Sequence, residues 1–169
     1  EHFRGSTECL SRYFELDTQG INVLKETSKF VSMEGTPDGN NILDTAKQII
    51  LHAYLGRGKT TAIKRLLKNY NSYLFLSPRQ TFARFISGEF NGTVCYLDAN
   101  GDYAHEKFVI SVESLYKLEK RDYDVICLDE SESIFAQFSS TTMNGRQLEV
   151  WDILTELVTN AKKVVYADA

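Results

Sequence analysis

The chain has 169 residues, the length of a single domain. Hydrophobic residues make up 43% and charged residues 25%, enough for a packed core, and two prolines exclude a Pro-rich linker or tail. A net charge of −4 and a pI of about 5.4 exclude a protein that holds nucleic acid by bulk charge, leaving only a local groove for such a role.

No apolar run approaches the roughly 18 residues of a membrane span, and Glu1-His2-Phe3-Arg4-Gly5 lacks the basic-then-apolar pattern of a signal peptide. A membrane partner is therefore not expected. The chain starts at Glu1 rather than Met and is expected to be a piece of something longer. Cys9, Cys95 and Cys127 are odd in number, far apart and without CxxC spacing, which argues for an intracellular, reducing compartment rather than a disulfide or zinc framework. Cys95 and Cys127 sit in apolar runs and read as core thiols.

In chain order, Ile21–Leu24 reads as a short strand, followed by the apolar run Lys29–Ser32 and a turn-rich loop, Gly35–Asn41. Residues 1–40 are thus expected to form an N-terminal segment and linker with a flanking strand, and 41–169 the main lobe. After the loop, strand candidates at 49–53, 73–77, 94–97, 108–112, 125–128 and 164–167 alternate with helix candidates at 59–69, 79–87, 113–119 and 148–160. The strands are nearly continuous in apolarity, as strands covered on both faces are. In the last helix, Leu148, Trp151, Ile153, Leu154, Leu157 and Val158 have helical spacing and read as a core face. The expected fold is α/β: a mainly parallel sheet with helices on both faces, of the P-loop nucleotide-binding type.

The strongest motif is Ala53-Tyr54-Leu55-Gly56-Arg57-Gly58-Lys59-Thr60-Thr61. It matches the Walker A pattern with Ala53 in place of the first glycine, and it has the required strand before it and helix after it. Gly56 and Gly58 let the backbone turn its N–H groups around a phosphate, and the helix presents its positive end to the same anion. Lys59 would set a cation against the β- and γ-phosphates of ATP, and the Thr60 hydroxyl would ligate Mg²⁺. Ala53, Arg57 and Thr61 complete the candidate nucleotide-binding set. Arg57 also fits a solvated loop residue, Tyr54 a packing one, and the whole loop a chance glycine turn before a helix.

Val125-Ile126-Cys127-Leu128-Asp129-Glu130-Ser131-Glu132 is an apolar strand ending in acids, the Walker B pattern. Asp129 would hold Mg²⁺, and Glu130 would polarise the water attacking the γ-phosphate. Lys59 and Glu130 are thus the candidate catalytic residues. A solvated acidic turn is the plain alternative; Glu132 either couples the site to the next motif or faces water. The acid pair favours a motor ATPase. A P-loop kinase or nucleotide switch without nucleic acid stays open, as does the ATPase lobe of a packaging or restriction translocase.

Three further segments follow in order. Leu74-Phe75-Leu76-Ser77-Pro78-Arg79-Gln80-Thr81-Phe82-Ala83-Arg84 resembles helicase motif Ia, Ile110-Ser111-Val112-Glu113-Ser114-Leu115 the segment before motif II, and Tyr166-Ala167-Asp168-Ala169 the start of motif III. Arg79, Arg84 and Ser114 are the candidate nucleic-acid contacts. Each has a plain alternative: a solvated helix face for the arginines, a helix cap for Ser114 and a turn residue for Asp168.

Together, LGRGKTTAIKRLL, SPRQTFARFI, FVISVESLYKL, YDVICLDESESIFAQF and KKVVYADA resemble the herpesvirus-type replication origin-binding helicases, over about residues 20–169. Arg79 and Phe82 match that family's Arg-x-x-Phe element and Glu113-Ser114-Leu115 its Glu-Ser-Leu; Tyr54-Leu55 departs from its usual Pro-Met. The resemblance implies the first RecA-like lobe of a superfamily 2 DNA helicase, hydrolysing ATP with Mg²⁺ in viral-type DNA replication. It further implies single-stranded or origin duplex DNA, a second RecA-like lobe and a primase or other replication proteins as partners. The host nucleus or a viral replication site is the location it implies, and the lobe is expected to break off just after motif III.

Overall fold

The computed structural model describes residues 46–52, 58–139 and 143–168, and the backbone of 21–25. The Lys29–Ser32 run, the Gly35–Asn41 loop and Cys9 lie outside the described residues.

Seven parallel strands form one sheet in the order β1-β2-β7-β6-β3-β5-β4. They are β1 (Ile21–Lys25), β2 (Gln48–His52), β3 (Tyr73–Ser77), β4 (Val94–Cys95), β5 (Lys107–Ser111), β6 (Val125–Asp129) and β7 (Lys163–Asp168). Four α-helices are described: α1 (Lys59–Leu67), α2 (Gln80–Glu89), α3 (Ser131–Ala136) and α4 (Gln147–Asn160). Parallel strands need crossovers, and crossovers are right-handed. The connections β2→β3 and β3→β4 step one way along the sheet; β5→β6 and β6→β7 step back. That reversal puts α1 and α2 on one face and α3 and α4 on the other. The ion pair Lys64–Glu89 (2.6 Å) between α1 and α2 fits their shared face. This is the α/β arrangement expected from the alternation, a parallel sheet with helices on both faces, and it fits the RecA-like lobe that the resemblance implies.

The core follows from the apolar runs. β3 is buried at all five positions, and Ile49, Leu74, Leu76, Phe108, Ile110, Ile126 and Val165 are fully buried. Helix α1 adds Ala62, Ile63, Leu66 and Leu67, one face at helical spacing. Cys95 and Cys127 are both buried and unpaired, as read from their surroundings.

Three local expectations change. Residues 113–119 do not form an α-helix; Val112–Lys117 is a 3-10 helix. Val112, Leu115 and Leu118 are all buried, and their spacing of three suits the three residues per turn of that helix. The strand expected at 94–97 stops at Cys95, because the Asp98 N–H turns back to the Cys95 carbonyl at 2.9 Å. Leu148 is not core: it is 80% exposed, and the buried stripe of α4 is Val150, Ile153, Leu154, Leu157 and Val158. Leu148 lies about 240° around the helix from Leu154. No helix among the described residues is long and apolar enough to cross a membrane.

Candidate active site

The seven described strands are parallel, so their C-terminal ends share one edge, where ligands of open α/β sheets bind. Strand register sets what meets there. His52 of β2 pairs with Asp168 of β7, and Ala167 pairs with both Leu51 of β2 and Asp129 of β6. Further along, Ser77 of β3 pairs with Ser111 of β5. The edge therefore has two halves: β2, β7 and β6 lead to Lys59, Asp168 and Asp129, while β3 and β5 lead to the Ser77-Pro78-Arg79 and Ser111–Ser114 segments.

On the first half, Gly58 precedes α1 with φ 86° and ψ 16°, and its carbonyl accepts the Ala62 N–H at 2.9 Å. That left-handed backbone suits glycine and is costly for other residues. It sets Lys59 at the first position of the helix, with Thr60 half-buried and Thr61 exposed. Ala53, Gly56 and Arg57 lie outside the described residues, as do Tyr54 and Leu55.

The Lys59 ammonium faces three carboxylates. Burial pushes its pKa down, and the charges of Asp129, Asp168 and Glu130 push it back up. Asp129 is pushed up to about 6, first by burial; the Glu130 N–H and Lys59 oppose this, and the charges of Glu130 and Asp168 add to it. Asp168 is raised as well, by burial, against hydrogen bonds from Ser131 and the Glu132 N–H. Burial and mutual repulsion thus hold Asp129 and Asp168 above the usual carboxylate range, an environment that a cation would relieve.

Glu130 leads into α3 with φ 58° and ψ 51°. A non-glycine residue in that region carries strain of about 1–2 kcal/mol, of the kind that collects at functional sites. The conformation turns the chain sharply at the strand end and leaves the Glu130 side chain exposed. Its N–H donates to Asp129 Oδ1 at 3.2 Å. The Ser131 hydroxyl donates to Asp168 Oδ2, and the Glu132 N–H to Asp168 Oδ1 at 3.4 Å. Glu132 thus touches the next motif through its backbone.

Two of these contributions escaped the sequence. Asp168 read as a turn residue or a motif start, and Ser131 read as part of an acidic run. Asp168 did carry a signal: it ends an apolar strand, as Asp129 does. Helix α3 had none, since six residues, with Ile134 and Phe135 packed inward, are too few to show a period.

The second half is built differently. The Ser77 hydroxyl donates to the Arg79 carbonyl at 2.7 Å and accepts the Arg79 N–H at 3.2 Å, closing β3 into α2. Arg79 stands exposed at the N-cap of α2. The Gln137 amide, one residue past α3, donates to the Pro78 carbonyl and so ties the Walker B helix to this turn. Ser114 accepts a hydrogen bond from Ser111 at 3.0 Å. Arg84 is not brought to Arg79. It pairs with Asp98 at 3.3 Å on the flank of α2, about 140° around the helix.

The family model described as origin of replication binding protein matches residues 18–169. The chain belongs to that family. Among curated members, it is similar to the replication origin-binding protein of Human herpesvirus 7 (strain JI), with 36% identity over 129 residues, covering 71% of this chain and 16% of the relative. The corresponding protein of Gallid herpesvirus 2 shares 32% over 143 residues, covering 74% and 17%. A protein of Acanthamoeba polyphaga mimivirus whose name carries the word helicase shares 25% over 145 residues, covering 75% and 14%. The origin-binding family chain described here therefore spans less than a fifth of the length of these relatives. Among solved structures, a DEAD box protein from the hyperthermophile Methanococcus jannaschii aligns with a TM-score of 0.51 at 13% identity, over 76% of this chain and 41% of that one. That likeness supports the RecA-like fold and nothing finer.

Proposed function

We propose that this chain is the ATP-binding lobe of an ATP-dependent DNA helicase or translocase that acts in viral-type replication. The observation that carries the reading is the meeting of Lys59 with Asp129 and Glu130 at one sheet edge, from strands separated only by β7. Lys59 would bind the β- and γ-phosphates, helped by the N–H groups at the start of α1. Glu130, exposed beyond the strand end, would orient and deprotonate the attacking water. The same edge continues into Arg79, which would hold the DNA backbone within one strand's width of the nucleotide half.

A carboxylate and a hydroxyl would suit Mg²⁺. Among the described residues no group of three or more acidic, His or Cys side chains could hold a metal alone. Mg²⁺ commonly takes one or two protein oxygens and completes its shell with phosphates and water. Asp129 and Thr60 would be those ligands, and the raised pKa of Asp129 marks a carboxylate that a cation would suit. Bound there, Mg²⁺ would neutralise charge on the phosphates as they are cleaved.

A second RecA-like lobe elsewhere in the parent chain would close the open side of the nucleotide, and a primase or other replication proteins would work beside it in the nucleus or at a viral replication site. Lys59→Ala tests the nucleotide half. Titration calorimetry with a non-hydrolysable ATP analogue and Mg²⁺ should show binding weakened at least tenfold. Unchanged affinity would remove Lys59 from the site.

A further inference from the structure

A second feature of the same edge is a cleft of about 370 Å³ between the 3-10 helix after β5 and the turn that enters α4. It is lined by Glu113, Ser114, Tyr116, Met143, Asn144 and Arg146. The Arg146 guanidinium lies over the Tyr116 ring, 3.9 Å from its centroid, and Glu149 holds it from behind at 3.7 Å. Asn144 and Gly145 are successive left-handed residues, with φ of 49° and 80°. They make a tight turn that carries the Asn144 amide to the cleft. Met143 is buried and gives it an apolar floor.

The chemistry of the walls selects a ligand class. A phosphate accepts hydrogen bonds only, and the Glu113 carboxylate would repel it. A nucleobase edge presents donors and acceptors together, which Glu113, Asn144 and Ser114 can answer. Its flat face suits an aromatic ring stacked with a guanidinium. The volume lies within the range of about 300–1,000 Å³ typical of small-molecule clefts, room for a base with its sugar. The location agrees: the cleft opens from β5, whose last residue, Ser111, pairs with Ser77 just before Arg79.

We propose that this cleft takes one unpaired base of a bound single strand, with Arg146 and Tyr116 as its stacking shelf and Glu113 and Asn144 against its edge. The proposal rests on the reading that the β3–β5 half of the edge holds DNA. It adds a contact to the base where Arg79 would supply a contact to the backbone.

The test is fluorescence anisotropy of the parent protein with two labelled strands of equal length, one ordinary and one abasic throughout. The wild type should bind the ordinary strand roughly 5- to 100-fold more tightly, the scale of one stacked base. Arg146→Lys keeps the charge but loses the planar stack. It should erase most of that preference while leaving the abasic affinity and the salt dependence unchanged; Tyr116→Phe, which keeps the ring, should retain the preference. Because Arg146 is exposed, its replacement does not threaten the fold. Equal wild-type affinity for both strands would overturn the base pocket while leaving a DNA-binding edge intact. So would an Arg146→Lys variant that keeps the preference. A wild type that binds neither strand would remove the DNA reading itself, and the pocket with it.

Discussion

Asp129 gives the sharpest physical test of the candidate site, because its carboxylate is held where a carboxylate is uncomfortable without a cation. Its pKa is pushed from 3.8 up to about 6, mainly by burial. The folded chain therefore holds this proton more tightly than the unfolded chain does. That contribution to stability is fully present below pH 3.8 and is lost as pH rises through about 6. Roughly two units at about 1.36 kcal/mol each amount to about 3 kcal/mol, and water at the open edge should screen this to about 2 kcal/mol. Asp129→Asn keeps the shape and an oxygen to accept the Glu130 N–H, but has no charge to desolvate. In urea denaturation with EDTA and without nucleotide, the variant should be about 2 kcal/mol more stable than wild type at pH 7, with the gain fading towards pH 4. The same substitution should abolish productive Mg²⁺–nucleotide binding, so stability and function move in opposite directions. A variant no more stable than wild type at pH 7, or a gain independent of pH, would refute the placement of Asp129 in a buried cluster of acids.

Other perturbations separate the remaining parts. Gly58→Ala should cost about 1–2 kcal/mol in the same denaturation measurement, because φ 86° is a left-handed conformation, and should weaken nucleotide binding in calorimetry. Arg79→Ala should weaken binding of single-stranded DNA without regard to sequence and reduce its salt slope by about one, whereas Arg84→Ala should change either far less. The Arg84–Asp98 pair is exposed, so breaking it should alter stability by no more than about 1 kcal/mol. Equal effects of the two arginines on DNA binding, measured by anisotropy across salt, would contradict their separation around α2.

What could be read from the residues follows their physics. Strands covered on both faces leave continuous apolar runs, and β3, β5, β6 and β7 were legible for that reason. The candidate phosphate loop stood out because a glycine and a lysine at a strand-to-helix turn are what a phosphate site would need, although Ala53, Gly56 and Arg57 lie outside the described residues. The 3-10 helix at Val112–Lys117 was not legible as such, since a buried Val112, Leu115 and Leu118 also fit an incomplete α-helical stripe. Arg84 looked like a partner of Arg79 because both are basic and near in sequence; helical geometry and Asp98 separate them. Asp168 reached the cluster through strand order, with β7 seated between β2 and β6. Local sequence does not show that order. Arg146 and Tyr116 are thirty residues apart and meet only through packing of α4 beside the 3-10 helix, so no local pattern signals their stack.

The edge joining Lys59, Asp129 and Glu130 is proposed to hydrolyse ATP in response to DNA. The most direct test is steady-state ATP hydrolysis by the full-length parent, with and without single-stranded DNA, for wild type and Glu130→Gln. Wild-type turnover should rise with DNA. Glu130→Gln should lower turnover on the order of 10²-fold or more in both conditions while leaving affinity for an ATP analogue intact, as loss of a water-activating base would. Turnover indifferent to DNA and to Glu130→Gln would contradict the account.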